Sequence, residues 1–149
     1  MRNRLKVLEP GHLQVERLPS GRRFLLRDLN LLLNDEPITI PAGFDTDYSS
    51  WPRWLPGPNY QRIDLAGIVH DYAFRYATLG EEGRSLTYLE ANRVWFQIAR
   101  AGTDESRCPW LWAWAGRLGL AVGAWPTWIC YRRQDDDATM AQDLQGEGG

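Results

Sequence analysis

Asp64-Leu65-Ala66-Gly67-Ile68-Val69-His70-Asp71-Tyr72-Ala73-Phe74 is the stretch on which the reading of this chain turns. Its apolar spacing predicts a helix from about Gln61 to Ala77, and the positions three and four residues from His70 are Ile63, Ala66, Gly67, Ala73, Phe74 and Ala77. An imidazole is therefore expected at the centre of a buried stripe. Asp71 stands one step, about 100 degrees, further round the helix. A base and a carboxylate would then address one small site from adjacent directions. The alternative is a core histidine satisfied by a single hydrogen bond.

A second helix is expected downstream. Thr87, with Glu90 three residues on, has the form of a capping box, and Gly102 suits the far end. The apolar stripe is Tyr88, Trp95, Phe96 and Ala99, with Asn92 in its middle. The short connection through Gly80-Glu81-Glu82-Gly83 favours antiparallel packing of the pair. His70 and Asn92 are expected to meet between the helices, where Asn92 would fix the imidazole tautomer. The alternative register turns Asn92 to water. Ala66, Gly67, Ala73 and Ala77 are small enough for close approach.

Upstream the pattern changes to extended chain. Leu13, Val15 and Leu18 alternate loosely with polar groups between His12 and Leu18, and Pro19-Ser20-Gly21 supplies a turn, so a hairpin is expected. Arg23 to Leu33 reads as a second extended segment, although its leucine run also suits a helix. Asn34-Asp35-Glu36-Pro37 is expected to break it before a short strand, Ile38-Thr39-Ile40, and Pro41-Ala42-Gly43 to end the sheet. Pro52, Pro56, Gly57 and Pro58 make the stretch from Phe44 to Tyr60 a structured loop. The fold class read from these elements is α+β: a small N-terminal antiparallel sheet followed by a three-helix region that contains the His70–Asn92 pair.

Length and composition bound the rest. A chain of 149 residues with 44% hydrophobic content suits one core and one domain. That domain is expected over residues 1–133, strand-rich over 10–42, loop over 43–60 and helical over 61–131. The stretch 134–149, with Asp135, Asp136, Asp137, Asp143 and Glu147 and no Lys or Arg, reads as a disordered acidic tail. Setting those five acids aside leaves 17 basic against 14 acidic side chains, too weak a surplus for nucleic-acid binding, and no basic stripe interleaves with aromatics.

Cys108 and Cys130 lack the spacing of a zinc site, and no signal-peptide pattern opens the chain, so a reducing cytoplasm is the expected compartment. From Pro109 to Tyr131 the chain holds Trp110, Trp112, Trp114, Trp125 and Trp128 and a single charge, Arg117. The uncharged part after Arg117 is shorter than the ~20 residues that span a bilayer. Two readings stand for the tryptophans: core packing, or contact with a lipid or envelope surface.

The loop before the first helix supplies further candidates. Gly43-Phe44-Asp45-Thr46-Asp47-Tyr48-Ser49-Ser50-Trp51-Pro52-Arg53 gathers carboxylates, hydroxyls and a guanidinium, so Asp47, Ser50 and Arg53 are candidate site residues. The same residues suit Asx and Ser turns that merely shape the loop. In Leu55-Pro56-Gly57-Pro58-Asn59, Gly57 permits a backbone whose carbonyls turn inward. With Asp71 they would form an oxygen-rich site suited to a hard cation such as calcium.

The order GF-x-TD-x-x-S-x-PR, here Gly43-Phe44, Thr46-Asp47, Ser50 and Pro52-Arg53, followed by His70-Asp71 and the Ala91-Asn92 helix, resembles the phage and prophage proteins of domain-of-unknown-function family 1353. The likeness runs from about Ile38 to Trp128. It implies a phage or prophage setting, in the host cytoplasm or the virion, with phage structural proteins as partners, and no assigned activity.

A second likeness concerns mechanism. A proline and glycine loop, then HD-x-x-Y on one helix and an Asp on its antiparallel partner, is similar to the phospholipase A2 arrangement, including its parvoviral version. That likeness implies His70 as general base to water, Asp71 as calcium ligand, and carbonyls of Gly57 and Asn59 completing the site. Phe74 stands where that pattern has Tyr, and Asn92 where it has the Asp that orients the His. Three functions are therefore expected to compete: a phage accessory or structural protein with a degenerate His-Asp site, a calcium-dependent phospholipase or esterase using His70 as general base and Asp71 as metal ligand, and a hydrolase of host envelope or cell wall with Asp47, His70 and Asp71 as a combined site.

Overall fold

In the computed structural model Asn34 and Asp35 both take positive φ, 52° and 70°. This is the conformation a two-residue hairpin turn requires, and Asn and Asp tolerate it. The turn joins β4 (Leu29–Leu33) to β5 (Glu36–Ile40), so that Leu33 pairs with Glu36 and Leu29 with Ile40. Leu29, Leu31 and Leu33 fall on the buried face opposite Ile38 and Ile40, the period-two pattern of a half-buried sheet. β1 (Leu5–Val7) adds to the other edge of β4, and Asn34 ties down its start by accepting from the Arg4 amide at 2.9 Å.

The structure describes residues 4–8, 13–17, 19, 22–46, 61–79, 84–101 and 109–146, with side chains left undescribed at 61–63 and 136–146.

A second three-stranded antiparallel sheet has the order β2 (Val15–Arg17), β3 (Arg23–Leu25), β6 (Asp45–Thr46). The single extended segment expected over Arg23 to Leu33 is thus two strands in different sheets. The chain bends at Leu26 and Arg27, and Asp28 holds the bend by accepting from the Ala42 amide at 2.8 Å. Leucines fall on both sides of the bend, so composition alone hid it. Pro41-Ala42-Gly43 ends the sheet of β5 as expected, and the chain then returns to the other sheet. Gly43, at φ 81°, reverses the chain and donates to the Leu25 carbonyl at 2.7 Å, which brings β6 alongside β3. The expected break at Asn34 to Pro37 is narrower, since Glu36 and Pro37 already belong to β5. The Pro19-Ser20-Gly21 turn is described only at Pro19.

α1 (Gln61–Tyr76) runs through the middle of the molecule and is buried over most of its circumference between Leu65 and Phe74. Ala77 leaves the helix in the left-handed region, φ 51°. α2 (Tyr88–Ala99) starts at the expected capping box: Glu90 N–H donates to the Thr87 hydroxyl at 3.3 Å, and Thr87 N–H donates to Glu90 Oε2 at 2.8 Å. Its far end is capped at Arg100, and Gly102 lies outside the described residues, as does the Gly80–Gly83 connection.

Where three helices were expected, the described residues form four. α3 (Trp110–Gly123) and α4 (Trp125–Gly146) share Ala124 as a junction, and α4 continues through most of the stretch expected to be a disordered tail. Extending a helix already nucleated by packing needs far less than starting one. The architecture is α+β, with two small antiparallel sheets followed by four helices among the described residues. α1 packs chiefly on α2 and also meets α4, while α3 packs on α2. Trp128 is buried against Phe74 and Tyr88, Trp112 and Trp114 are partly covered, and Trp110 and Trp125 are exposed.

Candidate functional site

Among the described residues the buried polar side chains are Thr46, His70 and Asn92, and two of them touch. His70 Nε2 lies 2.9 Å from Asn92 Oδ1 across the α1–α2 interface, the meeting expected from the two helix stripes. A carbonyl oxygen only accepts, so Nε2 carries the proton and the lone pair falls on Nδ1. Asn92 Nδ2 is buried without a partner among the described residues. The imidazole packs on Phe74 one turn on, with ring centroids 4.0 Å apart. Burial pushes the His70 pKa down from 6.5 to about 4, and the Asn92 hydrogen bond opposes this only in part. His70 is therefore neutral at neutral pH.

Asp71, the next residue of α1, reaches the end of β6, where the Thr46 hydroxyl donates to its Oδ2. β6 has only two residues, and its pairing with β3 sets Arg23 opposite Thr46 and Phe24 opposite Asp45. The guanidinium of Arg22, just before β3, grips Asp45 with both carboxylate oxygens, at 2.9 Å and 2.8 Å. The strand is thus held by backbone and side chains at the place where Thr46 meets Asp71.

His70, Asp71, Thr46 and the Arg22–Asp45 pair line one cleft of about 470 Å³. Phe44, Phe74 and Arg75 complete that side. The opposite wall comes from the α3–α4 junction: Gly119, Leu120, Gly123, Ala124, Thr127 and Tyr131. A Cβ added at Gly119 or Gly123 would meet nothing within 4 Å, so the missing side chains widen the cleft rather than admit another part of the protein.

Of the candidates read from sequence, the structure brings His70, Asn92 and Asp71 together. Asp47, Ser50, Arg53, Gly57 and Asn59 lie outside the described residues. Thr46, the Arg22–Asp45 pair and the α3–α4 wall were missed. The alternation of Phe44 and Thr46 after Gly43 was the one available sign of β6.

Calcium takes six to eight oxygen ligands. Among the described residues no three His, Cys, Asp or Glu side chains converge as a metal site, and Asp45 is committed to Arg22. Asp71 with the Thr46 hydroxyl falls well short of such a shell, so the described donors do not by themselves fit the ion.

A family model described as "Protein of unknown function (DUF1353)" matches residues 25–116. The match takes in β4 to β6, His70, Asp71 and Asn92, and it stops before Gly119. No curated protein and no solved structure matches the chain.

Proposed function

This chain belongs to the DUF1353 family of proteins of unknown function, and from that premise we propose that its cleft is a hydrolytic site in which His70 activates water for attack on an ester. The observation behind this reading is a buried, neutral imidazole with Nε2 held by Asn92, lining an open cleft beside a carboxylate. Burying a polar ring costs stability unless it is satisfied, and a second wall of glycines keeps space in front of it.

In the proposed step Nδ1 takes a proton from water as the water oxygen bonds to the ester carbonyl carbon. The imidazolium then returns that proton to the departing alkoxide as the carbon–oxygen bond breaks. Nε2–H stays on Asn92 Oδ1 throughout, which keeps the ring oriented. Asp71 in the same cleft supplies the charge opposite to the transient imidazolium. Its Thr46 bond fixes where that charge sits. No step is routed through calcium.

The test is release of acid from a chromogenic carboxylic ester and from phospholipid vesicles, with calcium and with a chelator. Hydrolysis that disappears in His70→Gln supports the reading, and the calcium arm decides whether the phospholipase A2-like design applies. Hydrolysis that is absent, or unchanged in His70→Gln, overturns it.

One observation favours a second reading, a phage or prophage component whose site no longer turns over. Asn92 offers His70 a neutral amide, which cannot stabilise an imidazolium as a carboxylate does. Under this reading a phage structural protein binds the wild type and His70→Gln equally, and neither hydrolyses esters.

A further inference from the structure

From Pro109 to Gln134 the chain has no acidic residue, and its charges are Arg117, Arg132 and Arg133. Leu111, Leu118 and Val122 recur along α3 at spacings of seven and four, which sets them within about 40 degrees of one another round the helix. They are 70%, 60% and 82% exposed. The other side of the same helix, at Ala113, Gly116 and Leu120, is buried. α3 is thus apolar on both sides, and only one is covered by the described residues.

Two further features accompany that stripe. Trp110 at the start of α3 and Trp125 at the start of α4 are 60% and 50% exposed. Gly119 and Gly123, each one step round the helix from Leu118 and Val122, line the cleft that holds His70. The exposed stripe therefore lies about a quarter turn round α3 from the side that lines the cleft.

We infer that this face of α3 docks on an anionic lipid surface. Indole side chains favour the headgroup region, and two exposed ones stand at the starts of α3 and α4. The one charge on α3 itself, Arg117, is basic, which complements anionic headgroups, while Arg132 of α4 is taken up by Asp135 and the end of α1. Among the described residues no helix is long and apolar enough to cross a membrane, so the contact is one in which α3 lies in the plane of the interface. The docking does not require the cleft to be catalytic.

The full chain is mixed with vesicles of phosphatidylcholine alone and of phosphatidylcholine with phosphatidylglycerol, and bound protein is pelleted. The wild type is expected to pellet with the anionic vesicles, with a blue shift of tryptophan emission. The Leu118→Glu, Val122→Glu double variant is expected to bind roughly tenfold or more weakly, because two apolar anchors become charges of the wrong sign. Both positions are exposed, and circular dichroism verifies that the variant folds. No wild-type binding to anionic vesicles overturns the inference, as does equal binding by the double variant. A wild-type dimer that the double variant turns into a monomer, without vesicle binding, overturns it in favour of self-association. His70→Gln is expected to bind vesicles like the wild type, so loss of docking and loss of hydrolysis are read separately.

Discussion

Asn92 presents a carbonyl, where a carboxylate of the same length would fit, to His70 Nε2 at 2.9 Å. The hydrogen bond sets the tautomer without supplying charge. Asn92→Asp is therefore expected to raise the His70 pKa from about 4 by about one unit or more, since an adjacent negative charge favours the imidazolium. Proton NMR titration of the ring checks this. Under the hydrolytic reading ester turnover rises about tenfold in the same variant.

His70 also makes stability depend on pH with a definite sign. Its folded pKa of about 4 lies below the ordinary 6.5, so between those values the unfolded chain binds a proton that the folded protein rejects. Stability from this group is complete above pH 6.5 and is lost as pH falls through the window toward 4, by something on the order of 3 kcal/mol. Urea denaturation at stepped pH measures it. His70→Gln, which cannot titrate there, is expected to flatten that part of the profile.

Three glycines of α3 are expected to answer differently to the same substitution. A Cβ at Gly116 would sit 2.4 Å from Cη2 of Trp95, a side chain with no exposed surface and no room to retreat. Gly116→Ala is expected to cost about 1–2 kcal/mol, overpacking outweighing the gain in helix propensity. Gly119→Ala and Gly123→Ala meet nothing within 4 Å and are expected to stabilise by up to ~1 kcal/mol each. Thermal melts of the three variants order them. Under the hydrolytic reading a larger residue, as in Gly119→Leu, is expected to lower kcat/KM for bulky esters with little loss of melting temperature.

Arg132 of α4 donates through Nη2 to the carbonyls of Phe74 and Arg75 in the last turn of α1, at 3.1 Å and 2.6 Å, and stacks on Trp128 at 5.1 Å. It places a cation where the helix end is negative. Arg132→Ala is expected to cost about 1–3 kcal/mol, and Arg132→Lys to recover only part, since an ammonium lacks the planar fork. Chemical denaturation of the pair tests both expectations.

The helix pair was legible because each helix carried its own local signals. The Thr87-Glu90 box and the stripes of α1 and α2 sufficed to bring His70 to Asn92. The break at Asn34 was legible, but not its form as a two-residue hairpin turn, and its extent was misjudged. What the sequence hid depended on partners distant along the chain. Leu25 and Leu29 are both buried, so nothing local assigned them to different sheets. β6 is too short to show a period, and Thr46 acquires its meaning only from Asp71. The glycines of α3 drew no expectation from the sequence, yet two of them form a wall of the cleft across from α1.

The cleft is assembled from two consecutive stretches of chain. His70, Asp71 and Thr46 lie within the family match at residues 25–116, and the facing wall from Gly119 to Tyr131 lies beyond it. Trp95 seated on Gly116 is the joint at that border. The molecule is therefore organised like a tool with a fixed head and a fitted jaw. Grafting another sequence after Gly116 alters what enters without disturbing the facing groups only if it keeps that joint together with Trp128 against Phe74 and Arg132 on the end of α1.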